Sequence, residues 1–183
     1  MSWGRLPRKT PGLGKQLVSG KIRERSIMNQ RDIKHSDASG DSGNADVPTP
    51  QAILETVVYC ESLAAARDFY ERVVGLSVVS VEPGRHVFFR VGRGMLLVFK
   101  ASETETGNVR IGDQWIPRHG SSGPSHFAFE MLPRQVDAVR ENLTRHQVVI
   151  ESEIEWPGGG RSIYCRDPAG NSVEFATRQL WFD

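Results

Sequence analysis

Three residues able to ligate a metal stand inside runs that otherwise read as strands: Glu55 in ILETVVYC, His126 in SHFAFEM and Glu174 in SVEFAT. A carboxylate or imidazole buried among apolar residues is costly unless it is paired or holds a cation. An oxygen, nitrogen, oxygen set with open positions suits a Lewis-acid ion such as Mn²⁺, Zn²⁺, Ni²⁺ or Mg²⁺. Such an ion can polarise a bound electrophile or stabilise negative charge developing on oxygen. Glu55 and Glu174 are also the candidate catalytic bases.

These residues need elements to position them. Arg161 to Thr177, RSIYCRDPAGNSVEFAT, reads as a hairpin turning at Asp167-Pro168-Ala169-Gly170-Asn171. Pro168 pre-sets φ for a turn and Gly170 tolerates positive φ. Alternation places Ser172, Glu174 and Ala176 on one face and Val173 and Phe175 on the other. Small neighbours leave room in front of the carboxylate. A weaker copy runs from Arg85 to Lys100, RHVFFRVGRGMLLVFK. Laid without gaps on the first, it matches Arg85 to Arg161, Arg90 to Arg166, Gly94 to Gly170 and Phe99 to Phe175. This overlay sets Val98 opposite Glu174. Self-similarity of this kind predicts a domain built from two copies of one unit.

The flanking pattern agrees. In the first copy, Ile53 to Cys60 reads as a strand, and a helix follows from an N-cap at Ser62 to Gly75. Strands at 76–81, 86–91 and 95–100 complete it. In the second, 125–131 reads as a strand, Pro133 opens a helix, and strands follow at 148–154, 162–166 and 172–176. The order βαβββ thus occurs twice, in modules 52–101 and 125–178 of a domain spanning 51–183. Aligning the first strands sets Glu55 opposite His126. Four equivalent positions then read Glu55, Val98, His126 and Glu174. If both sheets curl the same way, the three polar groups share one cavity. Residues 101–124 form a polar connection carrying Trp115, Arg118 and His119. It is read either as an exposed loop tucked down by Trp115 or as a lid over a site, with His119 contacting substrate.

The chain has 183 residues and a formal charge of +1, so charge makes no case for nucleic acid. Residues 1–35 carry net +7 and the remainder net −6. Residues 1–50 are polar, rich in Gly and Ser, and end in Val47-Pro48-Thr49-Pro50. They read as a disordered arm, or as an extension ahead of a start at Met28; a basic targeting segment or polyanion-binding arm is the sharper alternative. No apolar core of a secretory signal and no membrane-length apolar run is present. Cys60 and Cys165 are too few for a disulfide framework, which favours a reducing cytoplasm.

Residues of about 52–178 resemble the vicinal-oxygen-chelate superfamily of glyoxalase I, bleomycin-resistance proteins, fosfomycin-resistance enzymes, extradiol dioxygenases and methylmalonyl-CoA epimerase. The matching pieces are Asp68-Phe69-Tyr70 with Gly75-Leu76, the Ser125-His126-Phe127-Ala128-Phe129 strand, and Asp167-Pro168-x-Gly170-Asn171-x-x-Glu174. The resemblance implies an α+β fold, two βαβββ modules forming an open eight-stranded cup around a divalent metal. Ligands come from first and last strands, hence Glu55, His126 and Glu174. Val98 cannot ligate, so the four-ligand glyoxalase I pattern is incomplete. Glu55 stands where extradiol dioxygenases place a histidine, which weakens an iron site. The run Gly160 to Tyr164 is similar to fosfomycin-resistance enzymes and marks Arg161 and Tyr164 as substrate-binding candidates. The resemblance therefore implies a metal-dependent lyase, isomerase or addition enzyme acting on a small oxygenated substrate. Two alternatives stand beside it: a metal-free, drug-sequestering protein, and an extradiol-type dioxygenase using iron. It also implies a homodimer, with modules exchanged between chains as one arrangement; Glu55 and His126 of one site would then come from different subunits.

Overall fold

The computed structural model describes residues 48–182 apart from Asn108. The expectations for residues 1–47, including the start at Met28, lie outside the described residues.

The first module begins with β1 (Glu55–Cys60), followed by α1 (Leu63–Asp68). The Ser62 hydroxyl caps α1 by accepting from the Ala65 N–H at 3.3 Å, as its residue type predicts. The helix does not run evenly to Gly75. It widens into one π-helical turn, Phe69–Val73, in which the Val74 N–H donates to the Phe69 carbonyl at 3.0 Å. The widened turn buries Phe69, Tyr70 and Val73 together. Three strands follow: β2 (Ser77–Glu82), β3 (His86–Val91) and β4 (Gly94–Lys100). The sheet order is β1-β4-β3-β2, with β1 parallel to β4 and the rest antiparallel.

The connection 101–124 has more structure than its composition suggests. It holds a short helix, α2 (Ala101–Glu105), and a two-stranded ribbon, β5 (Val109–Ile111) and β6 (Gln114–Ile116). Trp115 is 58% exposed, so it does not tuck the loop down; the Arg110 guanidinium lies over its ring.

The second module repeats the first. β7 (His126–Met131) leads through a 3₁₀ turn at Pro133–Gln135 into α3 (Val136–Arg145), then β8 (Ile150–Glu155), β9 (Arg161–Arg166) and β10 (Ser172–Thr177). Its order, β7-β10-β9-β8, mirrors the first sheet. The two open four-stranded sheets bear out the expected paired βαβββ architecture. A single core joins them, built from Val58, Tyr70, Phe89 and Leu96 of one module and Phe129, Leu143, Ile163 and Val173 of the other. All these strand residues point to the helix side, so alternation sends their neighbours to the helix-free face. Among the described residues no helix is long and apolar enough to cross a membrane.

The gapless overlay of the two hairpins needs one correction. Four residues separate the paired Arg90 and Met95, whereas five separate the paired Arg166 and Ser172. The extra residue belongs to the Asp167–Asn171 turn, and it shifts every later position by one. Across the parallel pairs, Val57 opposes Leu97 as Ala128 opposes Glu174. Leu97, not Val98, is therefore the counterpart of Glu174, and Val98 faces the core at 1% exposure. The chemical conclusion survives, because either residue is apolar. Gly94 opens β4 where a Cβ would lie 3.0 Å from the Leu54 carbonyl oxygen, so a side chain there would crowd the backbone leading into β1.

Two predictions follow from the packing. The buried Tyr70 hydroxyl donates to Asp167 Oδ2 at 2.6 Å, linking α1 to the second module. Tyr70→Phe is expected to cost about 1.5–3 kcal/mol in a urea titration, because a charged acceptor loses a donor away from water. His86, 8% exposed and stacked on Phe88 at 3.9 Å, has its pKa lowered by burial; Glu82 opposes the shift and Arg85 adds to it. The unfolded chain thus takes up this proton more readily than the folded one. The stability is complete above about pH 6.5 and declines as pH falls below that value. His86→Phe should flatten the fall in melting temperature between pH 7.5 and 5; an unchanged slope would remove His86 as its source.

Candidate functional site

The helix-free face of the second sheet carries the chemistry in register rows. His126, Ser172 and Arg166 form one row across β7, β10 and β9. Ala128, Glu174 and Tyr164 form the next. Glu174 is only 4% exposed, although it lies on the side without helices. Two neighbours cover it. The Tyr164 hydroxyl donates to Oε1 at 2.8 Å, and His126 Nε2 lies 3.4 Å from Oε2. Burial, followed by the hydrogen bond to Glu174 and its charge, pushes the Tyr164 phenol up to about 12. Tyr164 therefore stays protonated and donates throughout the physiological range.

His126 keeps a half-exposed side chain whose Nδ1 lies 3.3 Å from the Ser172 hydroxyl, with its ring nearly parallel to that of Tyr164. Ser172 thereby orients the imidazole, as outer partners of metal-ligating histidines do. Sequence reading passed over Ser172. The signal was there, since the first residues of β7 and β10 must pair if the repeat holds. Tyr164 was expected to touch substrate, yet its hydroxyl is engaged by Glu174. Arg166, on the same face, does not reach Glu174 and binds Glu151 at 3.0 Å instead.

The donor set fits a divalent ion in part. A desolvated carboxylate whose one close donor is a neutral phenol carries charge that a cation would compensate. The Glu174–His126 spacing of 3.4 Å is longer than a strong hydrogen bond, and close to what two ligands each about 2.1 Å from one ion span. Glu55 is exposed at the start of β1 and faces the same side as Val57 and Tyr59. It is not gathered with the other two: no three His, Cys, Asp or Glu side chains converge among the described residues. One chain therefore brings His126 and Glu174 together and leaves Glu55 apart.

The remaining candidates also separate. Arg161 shares its face with Ile163 and Cys165, toward α3, where its guanidinium meets Asp137 at 3.2 Å. It lies on the opposite side of β9 from Tyr164, so alternation excludes joint contact with one ligand on the helix-free face. His119 is half-buried over the first sheet. The Tyr59 hydroxyl and His119 Nδ1 are 2.7 Å apart, and the imidazole packs edge-on against Phe99 at 5.0 Å. The connection thus reaches the helix-free face of the first module through His119 rather than Trp115.

Replacing Glu174 by glutamine keeps an acceptor for Tyr164 and removes the buried charge. Chelator-treated Glu174→Gln is expected to be more stable than wild type by on the order of 1 kcal/mol, a few degrees in melting temperature. Added Mn²⁺ should raise the melting temperature of wild type and not of the variant. A variant less stable than chelator-treated wild type would show that the carboxylate is already compensated.

The pattern of the Glyoxalase/Bleomycin resistance protein/Dioxygenase superfamily matches residues 52–175. A crystal structure of lactoylglutathione lyase from Agrobacterium tumefaciens is 41% identical, covering 73% of this chain and 98% of that one, with a TM-score of 0.67. More distant structures share the fold: a glyoxalase/bleomycin resistance protein/dioxygenase from Nocardioides (22% identity, 76% and 89% coverage, TM-score 0.54) and the fosfomycin resistance protein FosX from Mesorhizobium loti (17%, 70% and 93%, 0.50). No curated protein matches the chain.

Proposed function

Because the chain belongs to the Glyoxalase/Bleomycin resistance protein/Dioxygenase superfamily, we propose that it is a divalent-metal-dependent enzyme of lyase or isomerase type, acting on a small substrate through two adjacent oxygens. The observation that carries this reading is the buried Glu174 carboxylate facing His126 at 3.4 Å on the open side of the sheet. His126 and Glu174 of one chain would hold the ion, and Glu55 would come from a second chain in a homodimer. Such pairing supplies the oxygen donor that one chain leaves apart. When bound, the ion polarises the two substrate oxygens.

The chain's own residues do the rest. Tyr164 fixes the Glu174 carboxylate through Oε1, and Ser172 fixes the His126 ring. The Glu55 side chain carries no hydrogen bond or ion pair in its own chain among the described residues, so this ligand would double as the base that takes up the substrate proton. The reaction to test first is isomerisation of a 2-oxoaldehyde–thiol adduct, since the Agrobacterium protein is named a lactoylglutathione lyase. There a base removes the proton from the carbon bearing sulfur and returns it to the neighbouring carbon, converting the hemithioacetal to a 2-hydroxy thioester. Leu97 at the fourth position leaves three donors and open coordination sites, which admits lyase and addition chemistry on other vicinally oxygenated substrates. Glu55 in place of a histidine argues against an iron dioxygenase. A cytoplasmic enzyme is consistent with two free, buried cysteines.

A sequestering protein is the second reading. The first module's helix-free face favours it, because His86, Phe88, Phe99 and His119 form an aromatic wall there.

Metal analysis of purified protein decides between them. About one divalent ion per chain is expected in wild type and less than a tenth of that in His126→Ala, with turnover lost in parallel. A Glu55→Ala chain mixed with a His126→Ala chain should recover one intact site per mixed dimer. No recovery would place the ligands in one chain. No ion bound after incubation with Mn²⁺, Zn²⁺, Ni²⁺ or Fe²⁺ would leave the sequestering role.

A further inference from the structure

The corrected register makes the two modules comparable residue by residue, and one pair of positions has diverged. Arg90 on β3 is the counterpart of Arg166 on β9, since Arg90 pairs with Met95 in the row of Glu55 as Arg166 pairs with Ser172 in the row of His126. Both arginines lie on the helix-free face. Each module also has a bulge in its outer strand. The β8 ladder skips Glu151, between Ile150 and Ser152, and the β2 ladder skips Val79, between Val78 and Ser80. Val79 therefore occupies the place of Glu151.

In the second module Glu151 accepts from Arg166 Nε through both carboxylate oxygens at 3.0 Å, and Arg166 also donates to the Gly170 carbonyl. In the first module the equivalent partner is a valine, 51% exposed, and the Arg90 side chain has no hydrogen bond or ion pair among the described residues. Arg90 also lies in register with Glu55. Glu55, Met95 and Arg90 form one row across β1, β4 and β3, so their backbones are about 10 Å apart at the usual strand spacing. Below this row the sheet offers Val57, Leu97 and Phe88, which provide no competing charge.

We propose that Arg90 is a specificity-determining residue, which recognises a carboxylate or similar anionic group on the substrate part remote from the metal-chelating oxygens. This rests on the metal-centre reading above. An arginine fork without an acceptor among the described residues, next to an apolar floor, matches a planar carboxylate in both charge and hydrogen-bond geometry. The substrate class is then a vicinally oxygenated compound with a second, distal anionic group; for a thiol adduct, the thiol would carry a carboxylate.

Two ligands separate the parts of this argument. Lactate has the adjacent oxygens alone, and 2-hydroxyglutarate adds a distal carboxylate. Calorimetry on the full-length chain loaded with Mn²⁺ should show 2-hydroxyglutarate binding about tenfold tighter than lactate at low salt, with the advantage shrinking as salt rises. Arg90→Met should bring the ratio close to one while lactate affinity holds, and Arg90→Lys should keep part of it. Val79→Glu supplies the missing partner at an exposed position and should lower the ratio as Arg90→Met does. Equal binding of both ligands by wild type, or a ratio that survives Arg90→Met, overturns the role of Arg90 and leaves the metal centre standing. Binding of neither ligand to ion-loaded protein also overturns the Arg90 role, whereas failure of the chain to take up Mn²⁺ removes the metal-centre reading and the Arg90 role with it.

Discussion

The structure depends on one buried carboxylate. Asp167, 5% exposed, accepts from the Tyr70 hydroxyl, the Asn171 side-chain amide, and the N–H groups of Ala169 and Asn171. Four donors disperse a charge that would otherwise be costly so far from water. Two of the bonds close the turn between β9 and β10. The Tyr70 bond ties that turn to the first module's helix. Asn171, held by Asp167, accepts from the Ser125 N–H at 2.8 Å and so sets where β7 begins against β10. The relative height of His126 and Glu174 is a consequence of that pairing. The Asp-Pro-x-Gly-Asn run is thus the clamp that brings the candidate residues His126 and Glu174 into register.

The repeat shows how the two halves diverged. The same rows of positions exist on both sheets, but the side chains differ in kind. The second module places His126, Ser172, Glu174 and Tyr164 on its helix-free face. The first places Val57, Leu97, Phe88 and Phe99 in its central and lower rows, with Glu55 and Arg90 at the upper edge. One helix-free face is thus mainly polar and the other mainly apolar. The connection between modules adds His119 to the apolar half through Tyr59 and Phe99.

The strand and helix order was legible because its signals are local. Alternation marked the faces, Ser62 marked a helix start, and the DPAGN turn marked the hairpin. The widened turn at Phe69–Val73 was not legible, because what selects it is the burial of Tyr70 against another module's carboxylate. The hairpin offset was misread for a similar reason. Side-chain similarity between RHVFFRVGRGMLLVFK and its partner favours a gapless match, whereas the ladder hydrogen bonds demand one extra residue in the longer turn.

By itself the sequence determined the paired-module plan and the residue types of the candidate site, Glu55, His126 and Glu174. Residue type, period and turn chemistry are properties of short stretches, and they survive without knowledge of what lies across the sheet. Only the tertiary structure decided which of these meet. It joined His126 to Glu174 through parallel pairing of β7 with β10, turned Arg161 away to Asp137, and left Glu55 apart within one chain. It also separated Arg90 from Arg166, two arginines alike in the sequence, by what stands at a bulge on the neighbouring strand. Contacts across strands depend on register, and register is set by long-range hydrogen bonds that no local pattern contains.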